Sequence, residues 1–113
     1  MKRISSKRAK ACDITKKVKD IVWERDEHCC ILCGSNQAMP NSHYIPRSLG
    51  GLGIPENIVT MCISCHEGYE RNRKKLKPRV ASYLRACYPD WDESTLIYRK
   101  YDFDLPVRKG AVV

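Results

Sequence analysis

The chain has 113 residues and a net charge of +8, and 42% of its residues are hydrophobic while 30% are charged. This length and composition are typical of one globular domain. No apolar run approaches the roughly 20 residues of a membrane-spanning helix, and the basic start lacks the apolar stretch of a signal peptide. The sequence therefore argues against membrane and secreted proteins and predicts a cytoplasmic protein with no membrane partner.

The positive charge is concentrated in the first three-quarters of the chain. Residues 1–85 contain 17 basic and 8 acidic residues, whereas residues 86–113 contain 4 and 5. Such a field attracts a polyanion, and no long helix with a strongly apolar face points to a membrane surface instead. Nucleic acid is the expected partner.

The predicted elements begin with a flexible basic arm over residues 1–12, which holds five basic residues and one isoleucine. From Asp13, a candidate N-cap, apolar residues recur at helical spacing and predict an amphipathic helix of about three turns. A single domain is expected over residues 13–106, with its core at about 28–77, followed by a loose tail at 107–113.

A hairpin is predicted in the middle of the chain. Residues 28–37 form a cysteine-containing turn, called here the first knuckle, with Gly34 where a positive φ is expected. A strand follows from Asn41 to Pro46, then a long loop rich in glycine, then a strand from Asn57 to Met61.

The second knuckle, Cys62 to Cys65, runs directly into a predicted helix that must end near Pro78. Pro78 suits the first turn of a further helix, which stops at Pro89. A short helix is predicted over residues 92–98, although the pattern there fits a strand almost as well.

Two CxxC motifs with 28 residues between them predict a structural zinc site. Each tight turn presents two sulfurs from one side, so the pair of motifs can surround one ion with four thiolates. Four buried or redox-active cysteines are the alternative, but a redox CxxC is expected near a βαβ pattern, which this chain lacks. The predicted ligands are Cys30, Cys33, Cys62 and Cys65.

The remaining three cysteines lie outside this spacing. Cys29 can replace Cys30 only by making a looser CxxxC motif. Cys12 and Cys87 are interpreted as plain thiols in or beside helices.

A histidine, an asparagine and a second histidine follow one another in a strand, at a loop end and at a helix start: His43, Asn57 and His66. With the phrases HYIPRSLGG and PENIVTMCISCH, they resemble the HNH endonuclease family over about residues 28–75. The four-cysteine layout is similar in particular to small HNH proteins of phages and prophages. The resemblance implies an α+β fold with a ββα-metal, treble-clef-like core, tied by the zinc site and flanked by helices, whose hairpin and helix hold a catalytic divalent ion beside DNA.

The family's roles carry over onto three residues. By this resemblance His43 is the general base, His66 is a ligand of the catalytic metal, and Asn57 orients the loop so that His43 points inward. A neutral imidazole is a competent base at cellular pH, and a cation is needed to stabilise the charge that develops on the phosphate oxygens. Taken alone, a strand histidine such as His43 is more often a structural residue, and His66 beside the second knuckle is also consistent with a fifth zinc ligand.

The residue before the general base departs from the family pattern. Family members usually carry an Asp or His there that binds the catalytic metal, whereas this chain has Ser42, a weaker ligand. Glu70, four residues after His66 on the same helix face, is a candidate ligand, or alternatively a surface acid paired with a nearby Arg or Lys. Imidazole in the ligand set favours Mn²⁺, Ni²⁺, Co²⁺ or Zn²⁺ over Mg²⁺.

Several cations are candidates for DNA contacts. Arg47, four residues past His43, is placed to reach a phosphate oxygen. A run without any acid follows the second knuckle, and it is interpreted either as a phosphate-binding surface or as a solvated face. Contacts of this type select no sequence. The members of the run are Arg71, Arg73, Lys74, Lys75, Lys77, Arg79 and Arg85.

The sequence thus predicts a metal-dependent HNH endonuclease that nicks or cuts double-stranded DNA with low sequence specificity. The rival hypothesis is a catalytically impaired, zinc-stabilised module that binds nucleic acid or docks on a phage DNA-processing machine. Work beside the phage terminase is implied by the family resemblance alone.

Overall fold

Two strands and four α-helices make up the part of the chain that the structure, a computed structural model, describes, which is residues 6–99. The α+β prediction is confirmed. The predicted tail at 107–113, the start of the basic arm at 1–5 and the domain end at 100–106 lie outside the described residues. The elements are α1 (Lys7–Cys12), α2 (Lys16–Arg25), β1 (Met39–His43), β2 (Ile58–Met61), α3 (Ile63–Arg71) and α4 (Arg73–Cys87), with 3₁₀ turns at Arg47–Leu49, Pro55–Asn57 and Glu93–Leu96.

The predicted hairpin is present, with β1 and β2 antiparallel and the register His43 opposite Ile58 and Met39 opposite Met61. The first strand ends earlier than the predicted Pro46. The N–H of Tyr44 still donates to the carbonyl of Asn57 at 2.7 Å, but the N–H of Ile45 donates instead to the side-chain Oδ1 of Asn57 at 2.8 Å. That bond replaces the next rung of the ladder, so a wide connection begins here.

The N-terminal segment differs from the predicted flexible arm, because residues 7–12 form α1. Ser6 caps this helix by accepting from the N–H of Ala9. The helix packs on the loop between the strands, where the N–H of Gly53 donates to the carbonyl of Ala11 at 2.9 Å. A Cβ at Gly53 would lie 2.0 Å from the carbonyl oxygen of Asp13, so glycine is what permits this approach.

The second helix begins later than predicted. Thr15, rather than Asp13, is the N-cap of α2, and its side chain accepts from the N–H of Val18 at 3.2 Å. Asp13 is thereby released from a capping role, and its carboxylate pairs with Arg47.

The break between the two long helices falls at Asn72 and not near Pro78. Asn72 has φ −121° and ψ 44°, outside the helical region, and its carbonyl accepts from Leu76 at 3.0 Å to close the first turn of α4. Pro78 lies inside α4, where it removes one backbone donor. The predicted helix at 92–98 is a shorter 3₁₀ turn, Glu93–Leu96.

The core joins the sheet to α3 and α4. Its members are Cys30, Tyr44, Ile45, Val59, Met61, Tyr69, Val80, Ala81, Leu84 and Leu96. All four residues of β2 are buried, so this strand runs through the centre of the packing. Within residues 6–99, no helix is long and apolar enough to cross a membrane.

Candidate functional site

The four cysteines of the two CxxC motifs form one cluster, as predicted. Their sulfur atoms all lie within 4.8 Å of one another, and the sulfurs of Cys33 and Cys62 are 3.6 Å apart. The first pair sits in a turn that reverses at Gly34, which has φ 81°. The second pair occupies the start of α3, so the cluster ties that helix to the first knuckle.

Backbone N–H groups point at the sulfurs of this cluster. Cys30 Sγ accepts from the N–H of Leu32 and of Cys33 at 3.4 and 3.5 Å. Burial raises the pKa of Cys30, but these backbone N–H groups and that of Cys62 oppose it, and the pKa is lowered to about 7. Cys62 Sγ accepts from the N–H of Cys65 at 3.5 Å and thereby caps α3. Such bonds favour thiolate, the form that binds metal.

The spacing of the sulfurs fits one tetrahedral ion. Four sulfurs at about 2.3 Å from a common ion lie about 3.8 Å apart, close to the separation of Cys33 and Cys62. Four-thiolate tetrahedral sites hold zinc or iron. Cys29 does not join the cluster, because its thiol donates to the carbonyl of Asp26 at 3.4 Å.

Asn57 bridges the two arms of the connection between the strands. The side chain is fully buried, and its amide nitrogen donates to the carbonyls of Leu52 at 2.8 Å and Ile45 at 3.3 Å. Its oxygen accepts from the N–H of Ile45. An amide can donate and accept at once without titrating, so it fixes both sides of the loop.

Strand and helix meet at Ser42 and His66. The Ser42 hydroxyl, which is buried, lies 2.7 Å from His66 Nδ1. When the Nδ1–H donates to this hydroxyl, the lone pair of His66 is on Nε2, and the ring can bind a metal there. The predicted metal ligand Ser42 is therefore placed to orient His66.

His43 follows Ser42 on β1 and is held by the N-terminal segment. Its Nε2 lies 2.9 Å from the carbonyl oxygen of Cys12. Because a carbonyl only accepts, Nε2 carries the hydrogen and the lone pair of the neutral ring is on Nδ1. Burial lowers the pKa of His43 below 6.5, outweighing the Cys12 carbonyl, and the charge of Arg47 lowers it further. The ring is neutral at pH 7 and can accept a proton.

Glu70 is exposed and forms an ion pair with Arg73 at 2.9 Å, as in the alternative interpretation. The negative charge of Glu70 opposes part of the lowering of the His43 pKa, so Glu70 lies within electrostatic range of the His43 ring. In the part of the chain that is described, the four cysteines form a group of side chains that could hold a metal ion, whereas His43, His66 and Glu70 do not. A metal at His66 would thus draw most of its other ligands from water or substrate.

The predicted DNA-contacting cations divide into paired and exposed residues. Arg47 pairs with Asp13, while Lys77 pairs with Glu93 at 2.7 Å. Arg73, paired with Glu70, also donates to the carbonyl of Tyr44 at 3.1 Å and covers the Tyr69 ring. The members exposed at the end of α3 and the start of α4 are Arg71, Lys74 and Lys75.

A buried ion pair between α2 and β2 is absent from the sequence prediction. Arg25 and Asp26 bind each other through two N–H groups at 2.7 and 3.0 Å. Asp26 accepts from the N–H of Thr60 at 2.9 Å, and Arg25 donates to the carbonyl of Ile58 at 2.8 Å. The pair fastens α2 to β2. Adjacent opposite charges within a sequence do not reveal such burial, because most are solvated.

The contact of α1 with His43 is also absent from the prediction. A signal exists for the helix itself, since Ser6 precedes a run of strong helix formers that contains Ala9 and Ala11. No sequence signal indicates that the carbonyl of Cys12 reaches His43.

Comparison with known proteins adds one relative. Over 62 residues, 54% of this chain and 82% of the relative, the chain is 32% identical to anaredoxin of Nostoc sp. (strain PCC 7120 / SAG 25.82 / UTEX 2576). No family model and no solved structure matches the chain. Because the similarity spans more than four-fifths of the relative, the chain belongs to the same protein family as anaredoxin.

Proposed function

We propose that the protein is a metal-dependent endonuclease of the HNH type, with a ββα-metal core that acts on DNA. The observation that carries the proposal is the contact of Ser42 with His66, 2.7 Å between Oγ and Nδ1. This contact places a helix histidine beside the strand residue that precedes His43. The proposal assigns the base, His43, and the metal ligand, His66, to neighbouring elements of one site, as phosphodiester hydrolysis requires.

The first chemical step belongs to His43. Its Nδ1 takes a proton from water as the water oxygen bonds to phosphorus. The bond from phosphorus to the 3′ oxygen breaks with its electron pair on that oxygen, which takes a proton from solvent water. His66 would hold a divalent ion, which would supply positive charge to the phosphate oxygens and to the leaving oxygen. Asn57 holds the loop that follows His43, and Arg47 lies on that loop as a candidate phosphate contact. Arg71, Lys74 and Lys75 add sequence-independent phosphate contacts.

A plasmid-nicking assay tests the activity. Supercoiled DNA is incubated with the protein and Mn²⁺, Ni²⁺, Co²⁺, Zn²⁺ or Mg²⁺, and we expect nicking that is strongest with the metals that favour imidazole. Replacing His43 by Asn should lower the rate by about 10²- to 10⁴-fold, the usual worth of a general base.

The matched control is His28→Asn. His28 is exposed and lies 2.8 Å from Glu24, and its φ of 59° suits asparagine. Equal rates for the two variants would contradict the role of His43. Binding of DNA by the wild type without cleavage in any metal would replace the nuclease with the docking or nucleic-acid-binding module.

For the four-cysteine cluster we propose structural zinc. Structural zinc contributes about 10–16 kcal/mol to folding, comparable with the net stability of a domain. A second candidate is a one-iron redox centre, because anaredoxin has a name of the form used for redox proteins and because Cys33 is exposed, which suits electron exchange. Metal analysis of the purified protein separates them: zinc is colourless, whereas iron bound by four thiolates absorbs visible light and bleaches on reduction.

A further inference from the structure

A cavity of about 500 Å³ lies between α1 and the 3₁₀ turn Arg47–Leu49. Two of its six lining residues carry guanidinium groups, and two carry hydroxyl groups. The lining residues are Ser6, Arg8, Ala9, Cys12, Arg47 and Ser48.

Both guanidinium groups are held at the rim by backbone carbonyls. Arg8 Nη2 donates to the carbonyl of Ser48 at 3.1 Å, and Arg47 Nη2 donates to the carbonyl of Ala9 at 3.3 Å. Arg8 crosses the loop at Gly50, where a Cβ would lie 3.6 Å from Arg8 Nη2. A guanidinium has five N–H donors, so the bond of Arg8 to Ser48 leaves donors for a ligand.

The cavity adjoins the candidate general base through a shared residue. Cys12, a buried residue, is part of the cavity lining, and its carbonyl accepts from His43. Burial raises the pKa of the Cys12 thiol, although Arg8 and Arg47 both lower it, so the wall beside the arginines stays uncharged. The acid facing this region is Asp13, which pairs with Arg47.

We propose that the Arg8–Arg47 cavity binds a backbone phosphate of the nucleic acid, adjacent to the phosphate that is hydrolysed beside His43. The position of this phosphate next to the hydrolysed one rests on the proposed function. The phosphate site itself rests on the two arginines. Paired guanidinium groups recognise phosphate through parallel N–H bonds. An incoming phosphate takes the place of the Asp13 carboxylate on Arg47.

Binding measured without cleavage tests the site. The zinc-loaded protein is titrated into a fluorescein-labelled duplex with no added catalytic metal, and anisotropy is recorded over a series of salt concentrations. Arg8→Ala should weaken binding about tenfold and reduce the slope of log K against log salt by about 0.9, the effect of one lost phosphate contact. The affinity of Arg8→Lys should lie between those of the wild type and Arg8→Ala, because lysine keeps the positive charge but lacks the paired N–H donors of the guanidinium.

Lys7→Ala is the matched control, since Lys7 is exposed on the same helix and does not line the cavity. Asp13→Asn should strengthen binding by removing the competing carboxylate. Equal losses for Lys7→Ala and Arg8→Ala, or weaker binding by Asp13→Asn, would overturn the proposal. Absence of duplex binding by the wild type at low salt would also overturn it.

Two further readouts separate the possible sources of failure. Inorganic phosphate added at constant ionic strength should not release the duplex, and release by it would assign the cavity to a free anion instead. The plasmid assay is independent of both results. A protein with the expected slopes but no nicking in any metal keeps the phosphate site and loses the nuclease.

Discussion

Replacing Asn57 by alanine should loosen the connection between the strands without unfolding the chain. The substitution removes three hydrogen bonds, two with Ile45 and one with Leu52, at 2.8, 3.3 and 2.8 Å. A typical bond contributes about 0.5–1.5 kcal/mol, and a buried group left without a partner costs about 1–3 kcal/mol. Ile45 is only 5% exposed, so its N–H gains little from water. We expect a loss of about 3 kcal/mol in the free energy of unfolding.

Urea unfolding of the purified protein measures this loss. With a slope of about 1.5 kcal/mol per molar urea, the midpoint should fall by about 2 M. Hydrogen exchange adds a local readout, because the Ile45 amide should lose protection before the amides of α4 do. The control is Asn36→Ala, since Asn36 is exposed and its loss should shift the midpoint little.

Asn57→Asp tests the direction of the hydrogen bonds. The carboxylate keeps the acceptor for Ile45 N–H, but it sets an anionic oxygen against the carbonyls of Ile45 and Leu52. This variant should be less stable than Asn57→Ala at pH 7 and recover as its carboxylate is protonated at lower pH. A variant more stable than Asn57→Ala at neutral pH, or an Asn57→Ala midpoint equal to that of Asn36→Ala, would refute the reasoning.

Three other predictions follow from the site and its support. Cys62→Ser should abolish stoichiometric metal binding and lower the yield of folded protein, while Cys29→Ser should do neither. Metal analysis and circular dichroism check both variants. A Cys62→Ser protein that is folded without metal would contradict the structural role of the metal. The pKa of His43 is lowered by burial, so the nicking rate should keep its neutral-pH value until below pH 6.5, and a rate that halves above pH 6.5 would exclude this base. Because of the same shift, His43 is protonated at a higher pH in the unfolded chain than in the folded protein. The contribution of His43 to the free energy of unfolding should therefore be constant above about pH 6.5 and decline below it. Denaturant midpoints measured across this pH range, for the wild type and for His43→Asn, check this prediction. Asp26→Asn should cost about 3 kcal/mol because it leaves the buried Arg25 charge uncompensated, whereas Asp20→Asn breaks an exposed pair and should cost less than about 0.5 kcal/mol in the same urea assay.

The four-cysteine cluster was the most predictable part of this molecule. CxxC spacing restricts each pair of sulfurs to one side of a tight turn, so local geometry almost determines the ligand group. The hairpin was also predictable, since residues 58–61 are apolar or β-branched and a strand of this kind pairs with a neighbour. The end of β1 was not, because it depends on the Asn57 side chain capturing the N–H of Ile45, a contact across twelve residues.

The N-terminal helix was missed for a different physical reason. Six residues form too short a helix to be stable alone, and composition alone therefore predicts disorder. Tertiary hydrogen bonds stabilise this helix. The N–H of Gly53 donates to the carbonyl of Ala11, and the guanidinium of Arg8 donates to the carbonyl of Ser48. The helix break was misplaced because proline is a strong local signal, whereas Asn72 carries a weak one. Long-range contacts thus decided the features closest to the candidate base.

One sulfur atom has two duties in this fold, and this links remote parts of the molecule. Cys62 Sγ belongs to the four-cysteine cluster and also accepts the N–H that starts α3, the helix on which His66 lies in the first turn. We therefore expect metal binding by the cluster to order that turn. The ring signals of His66, recorded by nuclear magnetic resonance, become a reporter of cluster occupancy, although His66 is not one of the four ligands.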